Sequence, residues 1–252
     1  MKAYFAWLKS DTLKLKRDPF LLLHILIPLI GAFLFLAYAS IAPGSRLIIS
    51  DAYVKTVGIA FPTLIGVACS MAAQKEYEAG NYQHILASPS RLVPFASKMT
   101  MLLGFGAFGV LLAMASFGGL LPYVEQGSSF PFGYFMNAAA FLFVGSVFIY
   151  FLLFYISLRF GKAASIGLGV MISLLSALLL TGLGEGIWPF VPFAWSTRFA
   201  ESLLSTGMGY VILPPAAGVN GLGFCLCFAG TLILVLLLGT WVCRWDGARS
   251  AD

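Results

Sequence analysis

The chain has 252 residues, 60% of them hydrophobic and only 10% charged, with a mean hydropathy of +0.93. A soluble domain carries roughly 25% charged residues, and a globule this apolar could not cover its own surface, which excludes a soluble enzyme, a nucleic-acid binder and a secreted disulfide scaffold. The net charge of +5 therefore matters through where the basic residues lie relative to the apolar runs.

Residues 1–18 are basic. Tyr4, Leu8 and Leu15 gather on one helical side with Trp7 beside them, while Lys9 and Lys16 lie on another; Asp11 interrupts the apolar side and Leu13 the polar one. The expectation is an interfacial helix along the membrane surface, with a solvated basic tail as the alternative. The first apolar run, Phe20–Ser40, has a basic flank and an Ala37-x-Ala39 step like a cleavage site. It is too long for the apolar region of a signal peptide and reads as a retained span. His24 and Pro28 lie inside it, His24 as a neutral packed residue rather than a ligand.

A spanning helix needs about 20 mainly apolar residues. Five further segments qualify: Val57–Ala73, which is short and interrupted by a proline, then Met99–Leu121, Tyr134–Leu158, Ala163–Leu183 and Val219–Val242. None of the six segments contains Asp, Glu, Lys or Arg. Six spans place both termini on one side. That side carries twelve basic residues, against Arg46, Lys55 and Arg198 on the other. The positive-inside bias puts both termini in the cytosol.

Of the connections on the opposite side, Ile41–Lys55 reads as a short loop and Pro122–Gly133 as a turn. Gly184–Gly218 stays apolar, with Trp188, Phe190, Phe193, Trp195 and Phe199, but its prolines break it too often for a span. It is expected to dip partly into the bilayer or pack over the bundle, the alternative being an ordinary aromatic belt. The cytosolic connection 74–98 carries Glu76 and Glu78, then Gly80, then Tyr82, Ile85 and Leu86 at i, i+3, i+4 spacing. Such spacing gives a short helix one apolar side; Ser88-Pro89 ends it. A short amphipathic helix joined to two spans is a lever for a soluble partner, or simply an interfacial connector.

The chemistry inventory is thin. No G-x-x-x-x-G-K-[ST] phosphate cradle occurs, and the two histidines lie on different segments. Cys69, Cys225, Cys227 and Cys243 fall in apolar stretches and read as packing residues. Ion-coupled transporters usually keep ionisable residues within their spans. A transporter without them takes its energy from elsewhere.

The loop resembles the junction of ABC-2 permeases: an acidic pair, Gly80, an Ile-Leu-x-x-Pro step, then Arg91 and Lys98 entering the third span. The segment Leu8–Phe20, running on to Ile27-Pro-Leu-Ile-Gly-Ala32, is similar to lantibiotic-immunity ABC transporter permease subunits. The resemblance implies an all-α polytopic membrane protein of the bacterial plasma membrane: one permease domain with six transmembrane helices, an N-terminal interfacial helix and an apolar outer re-entrant segment between spans five and six. Residues Glu76, Glu78, Gly80, Tyr82, Ile85 and Leu86 become the element that docks on a separate ATP-binding cassette subunit. That partner, not this chain, holds ATP and Mg. A second, different permease is a further expected partner and a lantibiotic-like peptide the expected cargo. Trp188, Phe190, Phe193, Trp195 and Phe199 are candidate contacts for that peptide or for an outer gate. The alternatives are an ABC-2 exporter of a lipid, glycolipid or small drug, and a non-transport membrane scaffold or sensor.

Overall fold

A computed structural model describes residues 2–14, 19–41, 46–124, 130–207 and 217–247. In chain order these form α1 (Lys2–Lys14), α2 (Pro19–Ile41), α3 (Arg46–Glu78), α4 (Gln83–Leu86), α5 (Leu92–Val124), α6 (Phe132–Phe160), α7 (Lys162–Leu179), α8 (Trp195–Gly207) and α9 (Ala217–Arg244). Three short 3₁₀ turns lie between α7 and α8. Helices α2, α3, α5, α6, α7 and the Gly221–Arg244 part of α9 are the six long and apolar enough to cross a membrane. Among the described residues there is no strand, so the all-α polytopic reading holds.

Three boundaries differ from the sequence reading. The second span is not short: α3 runs unbroken for 33 residues through Pro62. The expected loop Ile41–Lys55 is helical from Arg46 onward, because Ile49, Tyr53 and Val54 supply a buried stripe and Lys55 pairs with Asp51 one turn back at 3.1 Å. The fifth span ends early, at Leu179, and continues as a 3₁₀ turn over Gly182–Gly184.

Helices α3 and α6 form the centre of the bundle, with α5 and α7 against them and α2 and α9 at the periphery. The tightest crossing is between α3 and α7, where backbones touch. A Cβ on Gly66 would lie 2.7 Å from the Ser165 carbonyl oxygen, and one on Gly169 2.9 Å from that of Pro62. Small residues allow this approach, and the Ser165 hydroxyl uses it to donate to the Gly66 carbonyl at 3.1 Å. On the other side, Tyr53 stacks on Phe117 at 4.0 Å and donates to the Ala113 carbonyl, joining α3 to α5.

Helix α1, the α3–α5 connection and the end of α9 meet at one end of the bundle, the terminal end. Tyr4, Trp7, Leu8 and Asp11 turn toward the protein, whereas Phe5, Lys9 and Ser10 are exposed. Leu15, Lys16 and Arg17 lie outside the described residues, as do 208–216 of the apolar segment.

Candidate functional site

The connection between α3 and α5 is built by a reversal that few residues tolerate. Gly80, Asn81 and Tyr82 all have positive φ, at 136°, 48° and 63°. Gly80 takes a value that a side chain would strain. Tyr82 is held in its left-handed conformation by burial: its ring lies 4.9 Å from Trp245 and 5.7 Å from Tyr77, and its N–H donates to the Glu76 carbonyl. Arg91 donates to the Cys243 carbonyl in the last turn of α9 and to the Trp245 carbonyl just past its end, while Trp7 of α1 lies 4.6 Å from His84. The loop is thus gripped by α1, α3 and the end of α9.

Beneath it lies a buried charge cluster. Lys98 Nζ on α5 is 2.6 Å from Asp11 Oδ1 on α1 and 2.7 Å from Glu76 Oε1 on α3. Ser97 Oγ donates to the second Asp11 oxygen at 2.7 Å. All three charged side chains are at least 95% buried. Burying ions is costly unless they are paired and hydrogen-bonded, and each carboxylate here meets the same ammonium. One lysine therefore ties three helices together at the base of the loop.

Of the six residues expected to face a partner, Glu78 and Gly80 are exposed and Leu86 is half-buried. Glu76, Tyr82 and Ile85 are buried in the chain's own fold. The apolar side of the short helix turns inward onto Trp245 and its neighbours. The surface offered outward is polar: Glu78, Asn81, Gln83 and His84. Sequence reasoning missed Asp11 and Lys98. The signal was present in Asp11 itself, an acid on the apolar side of a lead-in helix, which demands a basic partner.

At the distal end, α8 does not lie over the bundle but enters it. A Cβ on Gly145 of α6 would fall 2.4 Å from the Ser196 Cα, and one on Gly58 of α3 2.9 Å from the Thr197 methyl. Gly145 stands 13 residues into α6, roughly 20 Å from its start at 1.5 Å per residue. The preceding turns are pinned by Trp195 Nε1 donating to the Pro189 carbonyl at 2.8 Å and Ser176 Oγ donating to the Phe193 carbonyl at 2.6 Å. Arg198 donates to the Leu179 and Thr181 carbonyls, satisfying groups that the end of α7 leaves open. It also pairs with Glu201 at 2.9 Å, which reaches Lys55 at 3.4 Å.

Among the five aromatic residues singled out in this segment, Trp188, Trp195 and Phe199 are buried and Phe193 is half-buried. Phe199 stacks on Phe224 at 4.1 Å and Trp195 meets Phe148 edge-on, so they wedge α8 between α6 and α9. Only Phe190 of the five is exposed, and it shares the surface with Leu183 and Ile187, which the sequence did not single out. No group of His, Cys, Asp and Glu suited to a metal occurs among the described residues.

The family model for ABC-2 family transporter proteins matches residues 7–176. That stretch takes in α1 from residue 7 onward, the charge cluster and the whole α3–α5 loop, and ends within α7 before the distal segment. No curated protein and no solved structure matches the chain.

Proposed function

This chain belongs to the ABC-2 family of transporters, and on that premise we propose that it is the half of an exporter that opens a path while an ATP-binding cassette subunit, holding ATP and Mg, supplies the work. Family membership makes it a membrane permease subunit and implies such a partnership. The reading places both termini in the cytosol of a bacterium, with the α3–α5 loop as the docking element. The observation that carries it is the loop itself: a polar tip on a base immobilised by a buried lysine and two carboxylates, so that force on the tip is delivered to α1, α3 and α5 at once. Glu78, Gly80 and the neighbouring Asn81, Gln83 and His84 form the contact surface, while Glu76, Tyr82, Ile85 and Leu86 hold its shape. A second, different permease completes the complex, the cargo is a lantibiotic-like peptide, and Leu183, Ile187 and Phe190 are its exposed apolar contacts at the distal end.

A cysteine placed at Gln83 tests the docking element. Crosslinking of Gln83→Cys to the co-purified ATP-binding subunit supports it; crosslinking only from a distal control, Leu183→Cys, contradicts it. Cargo is tested by tolerance: cells carrying the whole complex survive higher doses of a lantibiotic. Unchanged tolerance across several such peptides moves the assignment to a lipid, glycolipid or drug.

A further inference from the structure

A cleft of about 730 Å³, open mouth included, runs between α2, α3 and α5, with Tyr150 of α6 on its inner wall. Its extent along α2, from Leu23 to Phe35, is roughly 18 Å at 1.5 Å per residue. Its mouth faces sideways between α2 and α3, at Ile27, Thr56 and Ala60, which are exposed. With the chain alone in a membrane, that direction is the bilayer, and the molecules that reach the cleft are those of the bilayer.

The two poles of the cleft differ. Toward the middle of α2 the walls are apolar: Gly31, Phe35, Val57 and Ala113. Tyr53 stands there too, but its hydroxyl is engaged by the Ala113 carbonyl at 2.9 Å. Nearer the terminal end stand His24 and Tyr150, 6% and 1% exposed. The Tyr150 hydroxyl has no hydrogen-bond partner among the described residues. It fits only because α5 carries a glycine opposite: a Cβ on Gly106 would lie 1.8 Å from it.

His24 Nδ1 lies 2.9 Å from the Phe20 carbonyl oxygen. A carbonyl only accepts, so Nδ1 carries the proton and Nε2 of the neutral ring is an acceptor. It too has no partner among the described residues. The ring packs against Gly109, about one turn of α5 beyond Gly106, so the two side chains face neighbouring turns of the same helix. Pro28 offers no N–H to the His24 carbonyl, and that oxygen also faces Gly109.

One donor and two acceptors therefore converge at one end of an apolar groove, and no charged side chain lines it. Polar atoms that open onto an apolar cleft gain from a hydrogen-bonding partner, and an ionic headgroup finds no counter-charge here. A group that both donates and accepts, carried on an aliphatic chain, satisfies every feature of the cleft. We propose that this cleft is a binding site for a neutral, hydroxyl-bearing lipid of the bilayer, its chain along Gly31 and Phe35 and its hydroxyl between Tyr150 and His24. The site stands apart from the docking loop and the distal segment and does not depend on what the complex exports.

The test uses the full chain in phospholipid vesicles without nucleotide or partner subunits, so that its failure leaves the transport reading untouched. Two photoreactive probes of equal length are compared, a long-chain alcohol and the same chain without its hydroxyl, and labelled peptides are mapped by mass spectrometry. The expected result is labelling concentrated on α2 and α3 at the cleft. Tyr150→Phe lowers labelling by the alcohol roughly fivefold, the scale of one hydrogen bond, and leaves the hydroxyl-free probe unchanged. Gly31→Phe, at a position where a Cβ meets nothing within 4 Å, fills the groove and lowers both. Leu236→Phe on the exposed face of α9 changes neither. Labelling spread evenly over α2 and α9, equal labelling by both probes in the unaltered chain, or indifference to Gly31→Phe overturns the proposal. The mapping on the unaltered chain decides even if a variant fails to insert.

Discussion

The two ends of the bundle are both tied by ionic networks, and they are tied differently. At the terminal end, one ammonium sits between two carboxylates, all excluded from solvent, and joins three helices. At the distal end, Asp51, Lys55, Glu201 and Arg198 form a balanced chain that is partly open: Lys55 keeps 33% of its side chain exposed and Glu201 27%. A buried pair loses several kcal/mol when one partner goes, because the other charge is left without compensation, whereas exposed pairs are worth little and re-form in other arrangements. Under the proposed function, the terminal network transmits displacement from the partner and the partly open distal network re-forms as the helices shift.

The contrast breaks most sharply at Lys98. Lys98→Met strands Asp11 and removes the Glu76 ion pair, and is expected to cost about 3–5 kcal/mol, read as a large fall in melting temperature and as protease cleavage of the freed α1. An unchanged melting curve would erase the difference between the ends. Next is Gly145→Ala, which drives a methyl into the Ser196 backbone at the α6–α8 crossing. Overpacking of this kind costs about 1–3 kcal/mol, whereas Gly167→Ala, with nothing within 4 Å, serves as the neutral control.

Gly80→Ala places a side chain at φ 136° and is expected to cost about 1–3 kcal/mol. It reshapes the tip, so stimulation of the ATP-binding subunit falls while the span packing, followed by tryptophan fluorescence, stays unchanged. Lys55→Met, the distal counterpart of the first variant, is expected to cost about 0.2–1 kcal/mol. A loss as large as that of Lys98→Met would show the two networks to be equivalent. Smallest in stability is the paired change Glu78→Lys with Gln83→Lys on the exposed tip, within about 0.5 kcal/mol. Its effect appears in association instead: more than about 1 kcal/mol of binding to the ATP-binding subunit, the scale of a significant interface contact, read by co-purification.

The spans were legible because hydropathy is a local property. An apolar side of α1 was legible in Tyr4 and Leu8, but not that it turns onto the protein, and Asp11 looked like a flaw in it. Its partner Lys98 stands 87 residues away, and no local pattern links them. The apolar side of the loop helix was equally visible in Tyr82 and Ile85. What covers it is Trp245 from the far end of the chain, so its direction was hidden. In the distal segment, an aromatic residue at a membrane surface and one wedged between helices share the same letter. Only packing separates the exposed Phe190 from the buried Trp188, Trp195 and Phe199. The cleft was invisible for the same reason: His24, Gly106 and Tyr150 come from three different helices.

The central claim, that movement originates on a neighbouring ATP-binding subunit and enters through the α3–α5 loop, is tested most directly by reconstitution. Vesicles holding the complete complex are compared with vesicles holding this chain alone, with ATP supplied on the cytosolic side and release of a labelled lantibiotic as the readout. ATP-dependent release from the complex, absent from the chain alone and lost with the Glu78→Lys, Gln83→Lys pair, is the predicted result. Equal ATP-dependent release from vesicles containing only this chain would contradict the account.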